Sequence, residues 1–126
     1  MNNPIKRQQA TKPIIYIAGP MTGLTGLNLN SFNRAEEFLT SQGYEVRNPA
    51  RLGGGWADYE HYMEVDFVML AQCTEITFLP GSYESPGATR EADKATELGH
   101  IFDASALSEI YPELKAMHVA NGGTYT

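Results

Sequence analysis

Two acidic residues, Glu91 and Asp66, lie where a carboxylate would border a hydrophobic core. Glu91 follows a turn at residues 85–87 and is predicted in the first turn of a helix that begins near Ala88, one residue from its sheet-facing stripe. The helix dipole stabilises a carboxylate at that end. Asp66 lies inside the apolar stripe of an earlier predicted helix, where an unpaired carboxylate is expensive. If both acids face one crevice, they suit glycosidic-bond cleavage, which commonly divides its work between two carboxyl groups.

Each candidate catalytic residue also has a simpler structural interpretation. Glu91 can serve only as a favourable partner of the helix dipole, and Asp66 can cap a break between two short helices. Tyr16, at the end of the first predicted strand, belongs to a residue type that often fills a core. If its hydroxyl faces the crevice, it can hold a carboxylate in place. The sequence pattern alone leaves these alternatives open.

Two turn-rich loops each follow a predicted strand, and we expect both to line one crevice. Their predicted substrate-binding residues, three from each loop, are Gly19, Pro20, Met21, Gly81, Ser85 and Gly87. Backbone N–H groups in such loops can bind a phosphate or a sugar hydroxyl, or the residues can simply form a turn. The first loop is neither a Walker A loop nor a G-x-G-x-x-G motif, which disfavours triphosphate hydrolysis and dinucleotide binding. A third segment, residues 53–56, has three glycines and predicts either a mobile flap or a close backbone approach.

The elements that position these residues alternate between strands and helices. Short apolar runs predict strands at residues 13–18, 44–47, 76–79 and 100–102. Helical patterns begin near residue 30, at Asp58 and near Ala88, and a last one covers residues 106–117 with an interruption at Pro112. This alternation implies an α/β fold: a parallel sheet with helices on both faces and right-handed crossovers. Ligands bind such sheets at the carboxyl ends of the strands.

The net charge of −6 disfavours nucleic-acid polymers as partners. Proteins that bind DNA or RNA generally present a basic face to the phosphates, whereas Lys6, Arg7 and Lys12 all fall in the polar first twelve residues. A small phosphorylated ligand stays possible, because backbone amides can bind it. No apolar run approaches the ~20 residues of a membrane span, and the first twelve residues lack the apolar core of a signal peptide. We therefore expect no membrane partner.

Length and cysteine content indicate one domain in a reducing compartment. A chain of 126 residues is long enough for one core and too short for two. We expect a flexible arm at residues 1–12, one domain at residues 13–118 and a flexible tail at residues 119–126. The lone cysteine, Cys73, excludes an internal disulfide framework, and no His or Cys cluster has metal-ligand spacing. The predicted location is the cytoplasm, and no metal or organic cofactor is expected.

Four motifs in this chain resemble those of the nucleoside 2-deoxyribosyltransferase superfamily. They are Tyr16-Ile17-Ala18-Gly19-Pro20-Met21-Thr22-Gly23, Asp66-Phe67-Val68-Met69-Leu70-Ala71-Gln72-Cys73, Phe78-Leu79-Pro80-Gly81, and Ser85-Pro86-Gly87-Ala88-Thr89-Arg90-Glu91 followed by Ala95 and Leu98-Gly99. The resemblance covers roughly residues 13–103. It is greatest to a compact branch that is often encoded by phages or prophages.

The resemblance implies a flavodoxin-like fold with a five-stranded parallel sheet and a glutamate that attacks C1′ of a deoxyribose. Glu91 matches that nucleophile, Tyr16 matches the tyrosine that orients it, and Asp66 matches the aspartate that assists at the base or the sugar. Ser85 falls where the nucleotide hydrolases of the superfamily keep a phosphate-contacting serine. The resemblance further implies a dimer or a higher homo-oligomer.

The leading hypothesis from the sequence is an enzyme that cleaves or exchanges the N-glycosidic bond of a (deoxy)nucleoside or its 5′-monophosphate. A covalent carboxylate intermediate would split one difficult displacement into two easier ones. The main alternative is a non-catalytic module on the same fold that binds or senses a nucleotide. A purely structural or interaction protein is a third possibility, which leaves Asp66 unexplained.

Overall fold

A computed structural model describes residues 12–52 and 58–125. The predicted N-terminal arm, apart from Lys12, and the whole glycine-rich segment at residues 53–56 with Ala57 lie outside these ranges. The strands are β1 (Ile14–Ala18), β2 (Glu45–Arg47), β3 (Glu75–Phe78) and β4 (Ile101–Phe102). The helices are α1 (Leu29–Ser41), α2 (Tyr59–Ala71), α3 (Pro86–Leu98) and α4 (Tyr111–Ala120). None of the helices in the described ranges is both long and apolar enough to cross a membrane.

The four strands form one parallel sheet in the order β2-β1-β3-β4. Tyr16 of β1 pairs with Arg47 of β2 on one side and with Ile76 of β3 on the other. This order matches the first four strands of the flavodoxin-like arrangement, and the described residues contain no fifth strand. The predicted three-layer α/β fold with a parallel sheet is confirmed. The strand order switches sides between β1 and β3, because β2 is added on one side of β1 and β3 on the other. Ligands bind at this switch point in such folds.

Alternation along β1 divides the core into two layers, because successive side chains of a strand point to opposite faces. Ile15 and Ile17 pack with α1, α4 and the segment before α4. Tyr16 and Ala18 face the other way and pack with buried residues of α2 and α3. The central strand therefore supplies a hydroxyl, that of Tyr16, to the same layer that contains Asp66 and Glu91.

The ends of two helices differ from the sequence-based expectation. Helix α3 begins at Pro86 rather than near Ala88, because the Ser85 hydroxyl caps it by accepting a hydrogen bond from the Ala88 N–H at 3.1 Å. Pro112 was expected to interrupt the last helix but lies in the first turn of α4. Proline is well tolerated there, since an N–H in the first turn has no helical acceptor.

The segment after residue 118, expected to be a flexible tail, takes part in the fold as far as the structure describes it. Helix α4 runs to Ala120, and Asn121 is buried. The Asn121 amide Nδ2 donates to Asn28 Oδ1 and to Asn30 Oδ1, both at 2.8 Å, and the Asn121 carbonyl accepts from the Thr25 N–H at 2.9 Å. A domain boundary at residue 118 thus cuts through the helix and this hydrogen-bond cluster.

We expect Asn121→Ala to lower the free energy of unfolding by about 1–3 kcal/mol, because it leaves the buried Asn28 Oδ1 without this donor. Asn30→Ala is the matched control: it removes one hydrogen bond at a more exposed position and should cost about 0.5 kcal/mol. Urea denaturation of both variants measures the difference. Equal losses, or none in Asn121→Ala, would contradict the assignment.

Candidate active site

A cavity of about 510 Å³ opens at the carboxyl ends of β1 and β3. Its walls come from the loop after β1, the first two turns of α2, and the loop that leads into α3. Asp66 and Glu91 both line it. The two acids that stand 25 positions apart in the sequence therefore border one hollow at the switch point of the sheet.

Glu91 is buried in the second turn of α3, with 4% of its surface exposed. From the sequence we expected Glu91 in the first turn and one residue outside the buried stripe, and both expectations are wrong. The helix starts earlier, and its buried residues are Ala88, Glu91 and Ala95, whereas Leu98 is exposed. The effect of the helix dipole falls off within the first turn, so another group must stabilise a charge on Glu91.

That group is Tyr16. The Tyr16 hydroxyl donates a hydrogen bond to Glu91 Oε2, across a separation of 75 residues in the chain. Tyr16 is fully buried, so its ring and its hydroxyl have one fixed place between β1 and α3. Burial and the nearby Glu91 carboxylate both raise the pKa of Tyr16 well above its usual value, so the hydroxyl keeps its proton and remains a donor.

Asp66 lies in the middle of α2, which runs without a break from Tyr59 to Ala71. The interpretation of Asp66 as a cap between two short helices is therefore wrong; Asp58 caps this helix by accepting from the His61 N–H. Asp66 is 5% exposed, and its Oδ1 has no hydrogen-bond partner within the described part of the chain. A buried carboxyl oxygen without a protein partner is costly unless a ligand or a proton satisfies it.

The two carboxyl groups interact with each other. Burial is the main cause that raises the pKa of Glu91, the negative charge of Asp66 raises it further, and the hydrogen bond from Tyr16 acts in the opposite direction. Burial also raises the pKa of Asp66. Two buried carboxyls this close do not readily carry two charges, so near neutral pH the pair favours holding one proton. Such a pair can present one carboxylate and one acid to the same ligand.

The wall contributed by α2 contains three residues that were not predicted as site residues from the sequence. Tyr59, Tyr62 and Met63 line the cavity, at positions seven, four and three residues before Asp66. Helical spacing places them on the same face as Asp66, so that spacing was the signal that could have identified them. Burial raises the pKa of Tyr62, and the charge of the nearby Asp66 raises it further.

The loop after β1 contains three of the predicted binding residues, Gly19, Pro20 and Met21, and all three line the cavity. A Cβ at Gly19 would lie 2.8 Å from Leu79 Cδ1, so only glycine allows this close approach to the chain after β3. Leu27 also lines the cavity and has φ +55°, in the left-handed region that β-carbon-bearing residues rarely adopt. No sequence signal indicated Leu27.

The second loop places its three predicted residues differently. Ser85 and Gly87 line the cavity, whereas Gly81 does not. Gly81 has φ +86°, and a Cβ there would lie 2.4 Å from the ring of the buried His118. A Cβ at Gly87 would meet only ordinary contacts, the nearest at 3.6 Å, so this glycine leaves room in the cavity itself. Gly81 therefore packs behind the loop against His118, and Ser85 and Gly87 border the cavity.

Metal ligands are not grouped in this region. Across residues 12–52 and 58–125, no three His, Cys, Asp or Glu side chains are arranged to hold a metal ion. The groups that the cavity offers are two coupled carboxyls, tyrosine rings, thioethers and backbone amides. These groups suit proton transfer, attack by a carboxylate and contact with a flat, partly apolar ligand.

A family model described as a domain of unknown function (DUF4406) matches residues 13–102. A comparison with curated proteins found no match. The matched segment contains β1 to β4 and α1 to α3, and with them Tyr16, Asp66 and Glu91. The last helix and Asn121 lie beyond it.

The stability of Glu91→Gln relative to the wild type should increase as the pH rises. Because folding raises the pKa of Glu91, its contribution to stability is fully present below the usual carboxyl pKa of about 4.3 and is lost as the pH rises through the higher folded value. Glutamine keeps the shape and can still accept from Tyr16 without charging. We expect the free energy of unfolding of the variant to exceed that of the wild type by about 1 kcal/mol or more at pH 8, and by little at pH 4.

Urea denaturation across this pH range provides the measurement. Glu97→Gln, on the exposed side of the same helix, is the control and should stay within about 0.5 kcal/mol of the wild type at every pH. A stability difference for Glu91→Gln that is constant or shrinks with rising pH would show that the Glu91 carboxyl is not under electrostatic strain.

Proposed function

The chain belongs to the family of the domain of unknown function DUF4406, and we propose that it cleaves or exchanges the N-glycosidic bond of a (deoxy)nucleoside or its 5′-monophosphate. The observation that carries this proposal is that Asp66 and Glu91 line one cavity while the buried Tyr16 hydroxyl donates to Glu91 from the core side. A buried nucleophile with a hydroxyl to orient it, next to a second acid that shares its proton, has the parts that glycosyl transfer requires.

The proposed reaction has two displacements. In the first, a Glu91 carboxylate oxygen attacks C1′, the bond from C1′ to the base nitrogen breaks, and Asp66 gives its proton to the departing base. In the second, water or another base attacks C1′ and the ester bond to Glu91 breaks, while Asp66 takes up the proton of the incoming group. Hydrolysis and transfer differ only in this second nucleophile.

Proton placement decides whether the first step can occur. Glu91 must be charged and Asp66 protonated, although burial resists a charge on Glu91. The hydrogen bond donated by Tyr16 favours the charged form of Glu91. We infer that Tyr16 is a positioning residue that orients Glu91 and favours its charged form.

The walls of the cavity support a nucleoside as the ligand. Tyr59 and Tyr62 offer aromatic faces, and Met21 and Met63 offer thioethers, so a flat heterocycle can be held by apolar and stacking contacts. The motifs shared with the nucleoside 2-deoxyribosyltransferase superfamily coincide with these same strand ends and helices. A homo-oligomer, as that resemblance implies, and a cytoplasmic location, as the cysteine content indicates, are part of the proposal.

A second candidate is a module that binds a nucleotide without turnover. The burial of Glu91 favours it, because a protonated glutamate is a poor nucleophile. Tight binding of a nucleotide in calorimetry, with no free base after long incubation at high protein concentration, would support this alternative and exclude the catalytic proposal for that ligand.

Glu91→Gln and Glu91→Ala should each abolish the release of free base from a panel of nucleosides and their 5′-monophosphates, because both remove the attacking oxygen. Circular dichroism is expected to be unchanged in Glu91→Gln. The measurement is chromatography of free bases, with and without an added acceptor base, and Glu97→Gln serves as the active control. Full turnover by either Glu91 variant would remove this residue from the mechanism.

Tyr16→Phe should shift the acidic limb of the pH profile of kcat/KM to higher pH. Without the Tyr16 hydroxyl, the pKa of Glu91 loses the one cause that lowers it, so the carboxylate forms only at higher pH. At neutral pH we expect a loss of about ten-fold or more in kcat/KM.

The matched control is Tyr44→Phe. It removes a similar hydrogen bond, from the Tyr44 hydroxyl to Asp103 Oδ2 at 3.0 Å, on a part of the molecule that does not line the cavity. An unshifted profile in Tyr16→Phe, or equal shifts in both variants, would contradict the role given to Tyr16.

A further inference from the structure

The charges around the cavity are of one sign. Asp66, Glu84 and Glu91 line it, and none of the lining residues in the described part of the chain is Lys, Arg or His. A 5′-phosphate, which carries about −1.5 to −2 charges near neutral pH, would meet no cationic side chain among the described residues that line this cavity.

The N-terminus of α3, the usual receptor for an anion in such folds, is largely occupied by the chain itself. Pro86, at the first helical position, has no N–H, and the Ala88 N–H donates to the Ser85 hydroxyl at 3.1 Å. The Thr89 N–H donates to the Ser85 carbonyl at 3.0 Å. Among the first four residues of this helix, residues 86–89, the N–H of Gly87 is the one that is neither missing nor engaged by Ser85.

Glu84 stands beside this helix start. It ends the short 3₁₀ turn Ser82–Glu84, immediately before the cap residue Ser85, and it is one of the residues that line the cavity. A carboxylate at this position opposes an anion at the place where the dipole would otherwise attract one. Like charges facing each other are a common way to reject a wrong ligand.

The basic side chain that contacts the cavity wall is already bound elsewhere. Arg90 lies 5.4 Å from the centre of the Tyr59 ring, on the outer side of α3. Its guanidinium donates to both carboxylate oxygens of Glu60, at 2.9 and 3.2 Å. Freeing Arg90 for a phosphate would break this bidentate pair and the contact with the aromatic ring.

We propose that the site takes a substrate with an uncharged 5′ end, a free nucleoside, and that Glu84 is the specificity-determining residue that rejects the 5′-monophosphate. This inference rests on the proposed function and narrows it to one of the two substrate classes. It predicts discrimination of at least about ten-fold in kcat/KM, the size expected for one like-charge contact in a partly hydrated cavity. The discrimination should shrink as salt is added, because Glu84 is exposed and therefore screened.

The test compares base release from deoxynucleosides and ribonucleosides with release from their 5′-monophosphates, for the wild type, Glu84→Gln and Glu109→Gln. Glu109→Gln makes the same charge change away from the cavity and should leave the ratio of the two kcat/KM values unaltered. In Glu84→Gln we expect the ratio to move toward the monophosphate by about ten-fold. A wild type that uses the monophosphate as well as the nucleoside, or an unaltered ratio in Glu84→Gln, overturns the inference.

The absence of base release from every compound would reject the proposed reaction and leave the selectivity to be decided by binding. Calorimetry with the same nucleosides and 5′-monophosphates then gives the answer. Tighter binding of the nucleoside, with the difference reduced in Glu84→Gln, supports the inference. Tighter or equal binding of the monophosphate, or binding of neither, overturns it.

Discussion

Two carboxyl groups and one phenol are buried side by side at the border of the cavity, and this constraint organises the molecule. Burial raises the pKa of both acids, and the negative charge of Asp66 raises that of Glu91 further. Tyr16 is the group that offsets part of this cost, because its hydroxyl donates to Glu91. Buried ionisable groups under such strain lower the stability of the native state.

The fold meets this constraint with elements that are rigid and far apart in sequence. Tyr16 comes from the central strand, which is paired on both sides, and Glu91 and Asp66 come from two helices that pack on the same face of the sheet. A strand and two helices vary less in position than loops do, so the three polar groups keep their relative geometry without a ligand. The loops that border the cavity then need only to shape the entrance.

The sequence predicted the parts of this arrangement that depend on local patterns. Apolar runs located β1 and β3, and the turn residues after them located two of the cavity walls. The position of Asp66 within an apolar stripe was informative because few forces other than function keep a carboxylate there. Contacts between distant residues could not be predicted in this way. The link between Asn28 and Asn121 spans 93 positions, and the left-handed backbone of Leu27 depends on that tertiary setting rather than on the preference of leucine.

The hydrogen bonds of Asn121 connect the end of the chain to the entrance of the cavity, since Asn28 in turn donates to the Pro20 carbonyl at 2.9 Å. The first residue of β1, by contrast, lies at the other end of the parallel strands, away from the cavity. A change at the end of the last helix is therefore transmitted to the loop after β1 and not to the start of that strand.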